Sequence, residues 1–275
     1  MLRTLFLILF VSAQFFCSAQ KDTIPRKKRT LYATWGYTRA WYSKSTIHFK
    51  DLSGKYHPAT GNKNYYDFTV HNAVAHDRPD FDRIKDVINI TIPQFVFRIG
   101  YQINNKWDAE LNYDHAKYVV DNWQHVHVTG QIFGKEINGD SILNPDKFLH
   151  FEHTDGANFW MFNAVRKWSF FNKTKNINCQ FVLKPGAGFV YPRTDVTLFG
   201  ENLNNNWHIS GWIVGVESGL RLEFFKHGFF EFVGKGAYAN YVKALVLGKG
   251  NGSANHKFWV CQLTATAGYK FSTRK

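Results

Sequence analysis

Cysteine, proline, methionine and charge are all scarce in this chain. Three cysteines in 275 residues exclude a disulfide-dense scaffold and any zinc site built from four cysteines. Seven prolines and two methionines exclude a proline-rich linker protein and a methionine-lined groove. Charged residues make up only 20% of the chain. Beyond the first 19 residues no run of 18 apolar residues occurs, so no transmembrane helix is encoded. No segment carries a convincing apolar stripe of period 3.6 either. Aromatics, in contrast, are abundant. The 26 Phe, 13 Tyr and 9 Trp exclude disorder, which needs few aromatics.

The N-terminus reads as an address. Arg3 supplies a positive start, Leu5 to Phe16 form an apolar stretch, and Cys17-Ser18-Ala19 place small residues before a cut at Ala19/Gln20. That is the pattern of a secretory signal peptide over residues 1–19. Removing it takes away Arg3 and Cys17 and leaves a formal net charge of +12 and two cysteines, Cys179 and Cys261. These two fall on strands that are not neighbours, so no disulfide is expected. Residues 20–29 follow as a periplasmic segment.

The dominant signal in the rest is period two. Trp107, Ala109, Leu111 and Tyr113 alternate with Asp108, Glu110, Asn112 and Asp114; similar alternation runs through 95–103, 180–191, 211–224 and 262–271. A soluble sandwich buries the apolar face, whereas a membrane barrel turns it to lipid and lines its lumen with the polar one. Three features favour the barrel. The strands run for 10–14 residues, the polar faces mix glycine with both charges, and Trp and Tyr gather at strand ends, where interfacial girdles lie. The fold expected over 30–272 is therefore an all-β, antiparallel, up-and-down transmembrane β-barrel. Eight strands are expected, near 30–42, 90–103, 106–119, 148–168, 177–192, 207–225, 228–243 and 256–272. Short turns alternate with long loops, which puts the long loops outside and both termini in the periplasm. Residues 64–75 and 123–133 alternate weakly and read as extracellular hairpins; counting them into the wall gives ten strands as the alternative. Pro185 should mark a bulge, because a closed barrel has no edge strand.

The leader ending in Ser18-Ala19-Gln20, the dyad repeat and a final strand running to Phe271 resemble an outer-membrane β-barrel of the Bacteroidota type. The phrases Ala75-His76-Asp77-Arg78-Pro79-Asp80-Phe81-Asp82 and His150-Phe151-Glu152-His153-Thr154-Asp155-Gly156-Ala157-Asn158 are similar to stretches of such barrels. The resemblance covers most of the mature chain. It implies an outer-membrane location and this architecture, and little about activity.

An eight-stranded barrel is filled by its own side chains, which argues against a porin. Inward Arg98, Lys184, Arg221, Lys235 and Lys270 face Asp108, Glu110, Glu217, Glu223 and Glu231, a set expected to form a buried ion-pair network. Of 12 histidines only His227 falls at a periplasmic turn. The others belong to outer loops or outer strand ends, and metal binding, catalysis and ordinary loop chemistry are the alternatives. His125-Val126-His127 puts two imidazoles on one side of a strand, and Asp77, Asp80 and Asp82 offer oxygen ligands, so a divalent metal is the one cofactor considered. His153-Thr154-Asp155-Gly156-Ala157-Asn158 is similar to the His-x-Ser-Asn stretch of lipid A deacylases and outer-membrane phospholipases. In those barrels the histidine and serine, two apart, face one way. Here the second position is Asp155, which orients a histidine but is no alcohol nucleophile. An outer-leaflet hydrolase with His153 as base and Asp155 as orienter is the alternative to a turn at Asp155-Gly156.

The reading reached is a monomeric barrel with a His- and Asp-bearing crown. Its role is surface binding or structural and assembly support, without enzymatic activity. Candidate ligand-binding residues are His71, His76, Asp77, Arg78, Asp80, Asp82, His150 and Asn158. The basic first long loop, with Lys44, Lys50, Lys55, Lys63, Arg78, Arg83 and Lys85, suggests outer-membrane lipid, lipopolysaccharide included, as the partner. No nucleic-acid partner is expected.

Overall fold

The structure is a computed structural model that describes residues 29–55, 61, 63–78, 94–153, 155–174, 177–204, 206–246 and 252–273. The expected signal peptide, His57, Asp80, Asp82, Arg83 and Lys85 lie outside the described residues, which form strands and connections with no helix. The strands are β1 (Arg29–Tyr42), β2 (Ser45–Asp51), β3 (Tyr66–Ala73), β4 (Ala75–His76), β5 (Phe95–Gln102), β6 (Trp107–Asp114), β7 (Tyr118–Val120), β8 (His125–Ile132) and β9 (Lys135–Ile142). They continue with β10 (Leu149–His153), β11 (Phe159–Thr174), β12 (Ile177–Val190), β13 (Asp195–Leu198), β14 (Glu201–Asn204), β15 (Gly211–Phe224), β16 (Gly228–Leu245) and β17 (Ser253–Thr273).

Eight of them form a barrel. β1, β5, β6, β11, β12, β15, β16 and β17 lie in that spatial order, and β17 pairs back onto β1 from Arg29↔Thr273 to Tyr42↔Val260, which closes the wall. Pairing is antiparallel throughout. Outward side chains are apolar and exposed: Trp35, Tyr37, Ile99, Phe162, Val214, Phe232 and Leu263 each show 39% of their surface or more. Such a continuous apolar exterior would not be tolerated in water.

Aromatic rings form a belt at one level of this exterior. Trp212, Tyr238 and Trp259 touch in turn across β15, β16 and β17, and Phe189, Trp160, Tyr113 and Phe95 do so across β12, β11, β6 and β5. At the opposite rim Tyr269 packs on Phe271 and Trp168 on Phe181. Trp259 and Tyr269 stand ten positions apart on β17, the span of a tilted strand crossing about 25 Å of hydrocarbon.

The lumen has two zones. Towards the short turns it is ionic. Glu231 meets Arg98, Lys184 and Arg221; Glu217 meets Arg98 and Lys235; Asp108 meets Lys167 and Arg221. The expected bases and acids are all there, and Lys167 and Asp114 join them, Asp114 paired with Lys235. The Arg221 guanidinium lies against both the Tyr32 and Phe229 rings, 4.9 and 4.7 Å from their centroids, and the two rings meet edge-on. Those rings in turn cover Gly100 and Gly268, where any Cβ would collide with them. Towards the long loops the inward face becomes apolar, with Met161, Val190, Ile213, Ala237, Ala239 and Phe258 buried.

Above that apolar zone stands a folded crown. β17 overruns the barrel and pairs with β2, and β3, β8 and β9 extend the sheet. A second sheet runs β14-β13-β10-β7-β4. Phe49, Phe68, Val70 and Val128 from the first sheet share a core with Leu149, Phe151, Val196 and Leu198 from the second, and Phe49 meets Phe151 edge-on at 5.4 Å.

Several expectations change. Residues 64–75 and 123–133 are not hairpins in themselves: β3 pairs with β2 and β8 with β9, and β3–β8 pairing joins the two hairpins into one sheet. The expected strand 148–168 is two elements, β10 in the crown and β11 in the wall. They are separated where Gly156 and Asn158 adopt positive φ, 103° and 43°. Pro185 makes no bulge. Its register against Val216 of β15 is continuous, and the β11 pairing resumes in the same register on either side of it.

Candidate functional site

The polar side chains of the crown fall into three groups, set by the period-two alternation of its strands. The first covers the outer face of the β2-β3-β8-β9 sheet, whose other face is the core. Asn255↔His48, His48↔Thr69, Thr69↔Thr129 and Thr129↔Asn138 form one row across five strands. His48 Nε2 lies 2.6 Å from Asp67 Oδ1, and Lys50 Nζ 2.7 Å from Asp67 Oδ2. Those two partners hold the Asp67 carboxyl below its ordinary range. His71 stands opposite His127 and hydrogen-bonds Thr129 Oγ1 at 2.8 Å; His127 reaches Asp140 and Asn138, each at 3.0 Å.

The second group lies on the outer face of β4-β7-β10. Glu152, nearly buried, is the hub: Arg78 Nη2 is 3.0 Å away and His150 Nε2 3.5 Å. His150 Nδ1 meets Asn122 Oδ1 at 2.8 Å, and His76 pairs with Asp121. Asp77 points the other way, accepting hydrogen bonds from the Ala40 N–H and the Gln94 amide. Burial pushes its carboxyl up to about 6 despite these bonds.

The third group is sealed between crown and barrel. His153 Nε2 and His256 Nε2 are 3.1 Å apart, so one imidazole donates and the other accepts. His153 Nδ1 lies 3.1 Å from Thr194 Oγ1, and His256 Nδ1 3.4 Å from Ser45 Oγ. Tyr118, Tyr241, Phe151 and Phe258 box the pair in. His256 sits three positions beyond Trp259, on the crown side of the aromatic belt. Burial lowers the pKa of both imidazoles, His153 well below its ordinary value and His256 to about 3.

The residues singled out from the sequence therefore separate. His76 and His150 share one small sheet, and Arg78 stands two residues beyond the end of β4. His71 belongs to the other. His153 alternates with His150 on β10 and faces the core. Asn158 is a loop anchor: its amide spans the carbonyls of Asp155, Gly156 and Tyr191, and its Oδ1 accepts from Tyr113. Asp155 does not orient His153; it pairs with Arg193 at 2.7 Å. His153 does have a hydroxyl in reach, Thr194, but both are 0% exposed, so no substrate carbonyl can approach them. Among the described residues no group of three or more His, Cys, Asp or Glu converges as a metal site. Sequence reasoning missed Glu152, His256 and Thr194, which carry no local motif and gain meaning only from strand pairing.

No family model and no curated protein matches the chain. Among solved structures it is similar to the outer-membrane protein OprG of Pseudomonas aeruginosa, at 14% identity, 90% of this chain and 98% of that one covered, and a TM-score of 0.36. It is also similar to Neisserial surface protein A (10%, 88% and 97%, 0.33). Ail, the attachment invasion locus protein of Yersinia pestis, follows (11%, 89% and 100%, 0.31). The barrel itself stands on the closed strand order and the direction of the side chains.

Proposed function

We propose that this chain is a monomeric outer-membrane β-barrel that carries no solute and whose folded crown is a surface-binding platform, with outer-membrane lipid, lipopolysaccharide included, as its immediate partner. One observation carries the reading: charge and apolarity are inverted relative to a soluble sheet protein. Arg98, Lys184, Arg221, Glu217 and Glu231 are buried in the lumen while Trp, Phe, Leu and Val cover the exterior. Only a hydrocarbon solvent makes that arrangement favourable. Among the described residues the ionic zone and the apolar zone above it both turn buried side chains into the lumen, which supports a closed barrel over a porin. The crown has its own core, which leaves two polar faces to meet whatever lies outside.

An epitope inserted at Gly134, in the β8–β9 turn, tests the orientation. Antibody should label it on intact cells, while the same epitope at Lys226, in the β15–β16 turn, should need permeabilised cells. Labelling at Lys226 but not Gly134 on intact cells would reverse the reading. Proteoliposomes holding the protein should show no conductance above protein-free controls.

A further inference from the structure

Every acid on the eight barrel strands among the described residues, Asp108, Glu110, Asp114, Glu217, Glu223 and Glu231, is turned into the lumen and paired there with a base. Charge on the outer surface of the wall is consequently of one sign. At the crown-side aromatic belt it takes a particular form. Lys257 projects outward from β17 two positions beyond Trp259 and is exposed. Lys44, exposed, lies in the link between β1 and β2. Ser43 beside it is fastened to Trp259 twice, by Ser43 N–H to the Trp259 carbonyl at 2.9 Å and by Trp259 N–H to Ser43 Oγ at 3.0 Å. Lys243 sits at the register shift of β16 against β17, between Tyr241 and Ala244. A bulge there re-aims the side chain outward. Its backbone is held by Ser210, whose carbonyl accepts from the Lys243 N–H at 3.0 Å and whose hydroxyl donates back to the Lys243 carbonyl at 2.7 Å. Among the described residues none of these three lysines has an ion-pair partner, although Lys50 and Lys270 elsewhere do.

We infer that Lys44, Lys243 and Lys257 form a headgroup site for a phosphorylated glycolipid carrying two phosphates on its sugar, in the leaflet on the crown side. The inference rests on the membrane reading above; of the first long loop it keeps only Lys44, at the rim of the wall, because Lys50 and Arg78 farther along are already paired with acids. Three unpaired ammonium groups on fastened backbone, directly above an aromatic belt, sit at headgroup depth. Lysine ammonium groups bind phosphate oxygens as point charges, and three spread over neighbouring strands suit a headgroup with separated phosphates better than one with a single phosphate.

The test uses the full mature chain folded into phosphatidylcholine nanodiscs. Bisphosphorylated lipid A, its monophosphoryl form and phosphatidylglycerol serve as titrants, and binding is read by native mass spectrometry. The K44Q/K243Q/K257Q variant should lose affinity for the bisphosphorylated form at least tenfold. K50Q/K63Q, in the crown, should leave it unchanged, and wild type should bind the monophosphoryl form several-fold more weakly. Equal binding by the rim variant and wild type overturns the site, as does equal binding of phosphatidylglycerol and lipid A by wild type. Heat-modifiable migration on gels, checked for every variant, separates this from failure of the membrane reading: a wild type that does not insert overturns both.

Discussion

Glu231 shows how much one residue holds in this lumen. Its carboxylate takes Arg98 at 2.8 Å and Arg221 at 2.7 Å, with Lys184 as a third partner, all fully buried. Removing one member of a buried ionic set strands the rest, at a cost of about 3–5 kcal/mol. Glu231→Gln is therefore expected to lower stability by about that amount, measured by urea unfolding in detergent micelles. Combining it with Lys184→Met should recover part of the loss, since charge balance returns; a double variant less stable than the sum of both singles contradicts the network. Gly100 makes a second case. A Cβ there would collide with the Tyr32 ring, so even Gly100→Ala must displace the ring that covers Arg221. Most lumen charges were legible in the sequence, because period two assigns a face to every residue of a strand. Lys167 escaped notice because Met161 and Val165 share its inward face, which blurs the alternation of β11.

At the scale of elements, the junction of β10 and β17 is the point where crown meets barrel. His153 and His256 occupy it as neutral imidazoles, and their folded pKa values are lowered by burial. The unfolded chain takes up protons on these histidines near pH 6.5, before the folded one does. Their contribution to stability is thus fully present above pH 6.5 and is lost as pH falls from there towards about 3. The slope is about 1.4 kcal/mol per pH unit for each histidine. The near-ultraviolet circular dichroism of the boxed tyrosines should weaken steeply with acid over that window. A His153→Gln/His256→Gln variant, less stable at pH 8, should lose most of that slope; an unchanged slope would place the acid sensitivity elsewhere. The strands of the wall were readable from long alternating runs. In the crown only β3 and β8 showed, through the weak alternation at 64–75 and 123–133; β4, β7 and β10 are two to five residues long, too short to show a period, and their partners are far away in sequence.

The whole molecule is two cores stacked end to end: a membrane barrel with an ionic floor, and a crown whose apolar interior continues into the upper lumen. That continuity was hidden in the sequence, since an apolar inner face removes the polar half of the alternation and leaves nothing to tell the two faces apart. It explains why the crown is not a set of loops: Tyr241, Phe258 and His256 at the top of the wall form the base on which it packs. The exterior makes its own demand. Val214→Arg and Ala265→Arg each place a cation in hydrocarbon and should cost about 2–4 kcal/mol near the midplane, read as a lower urea midpoint for folding in vesicles. Replacing inward Thr264 by Ser should be nearly neutral.

The apolar face of the wall is built to meet lipid. Spin labels placed singly at residues 259–269 of β17, with the protein in lipid vesicles, test it directly through their collision rates with oxygen, which partitions into hydrocarbon, and with a water-soluble nickel chelate. Labels at the odd positions, Cys261, Leu263, Ala265 and Ala267, should collide often with oxygen and rarely with nickel, and labels at Gln262, Thr264 and Thr266 should collide with neither. Nickel collisions at the odd positions matching those of a label in the crown, at Gly134, would put that face in water and rule out a membrane wall.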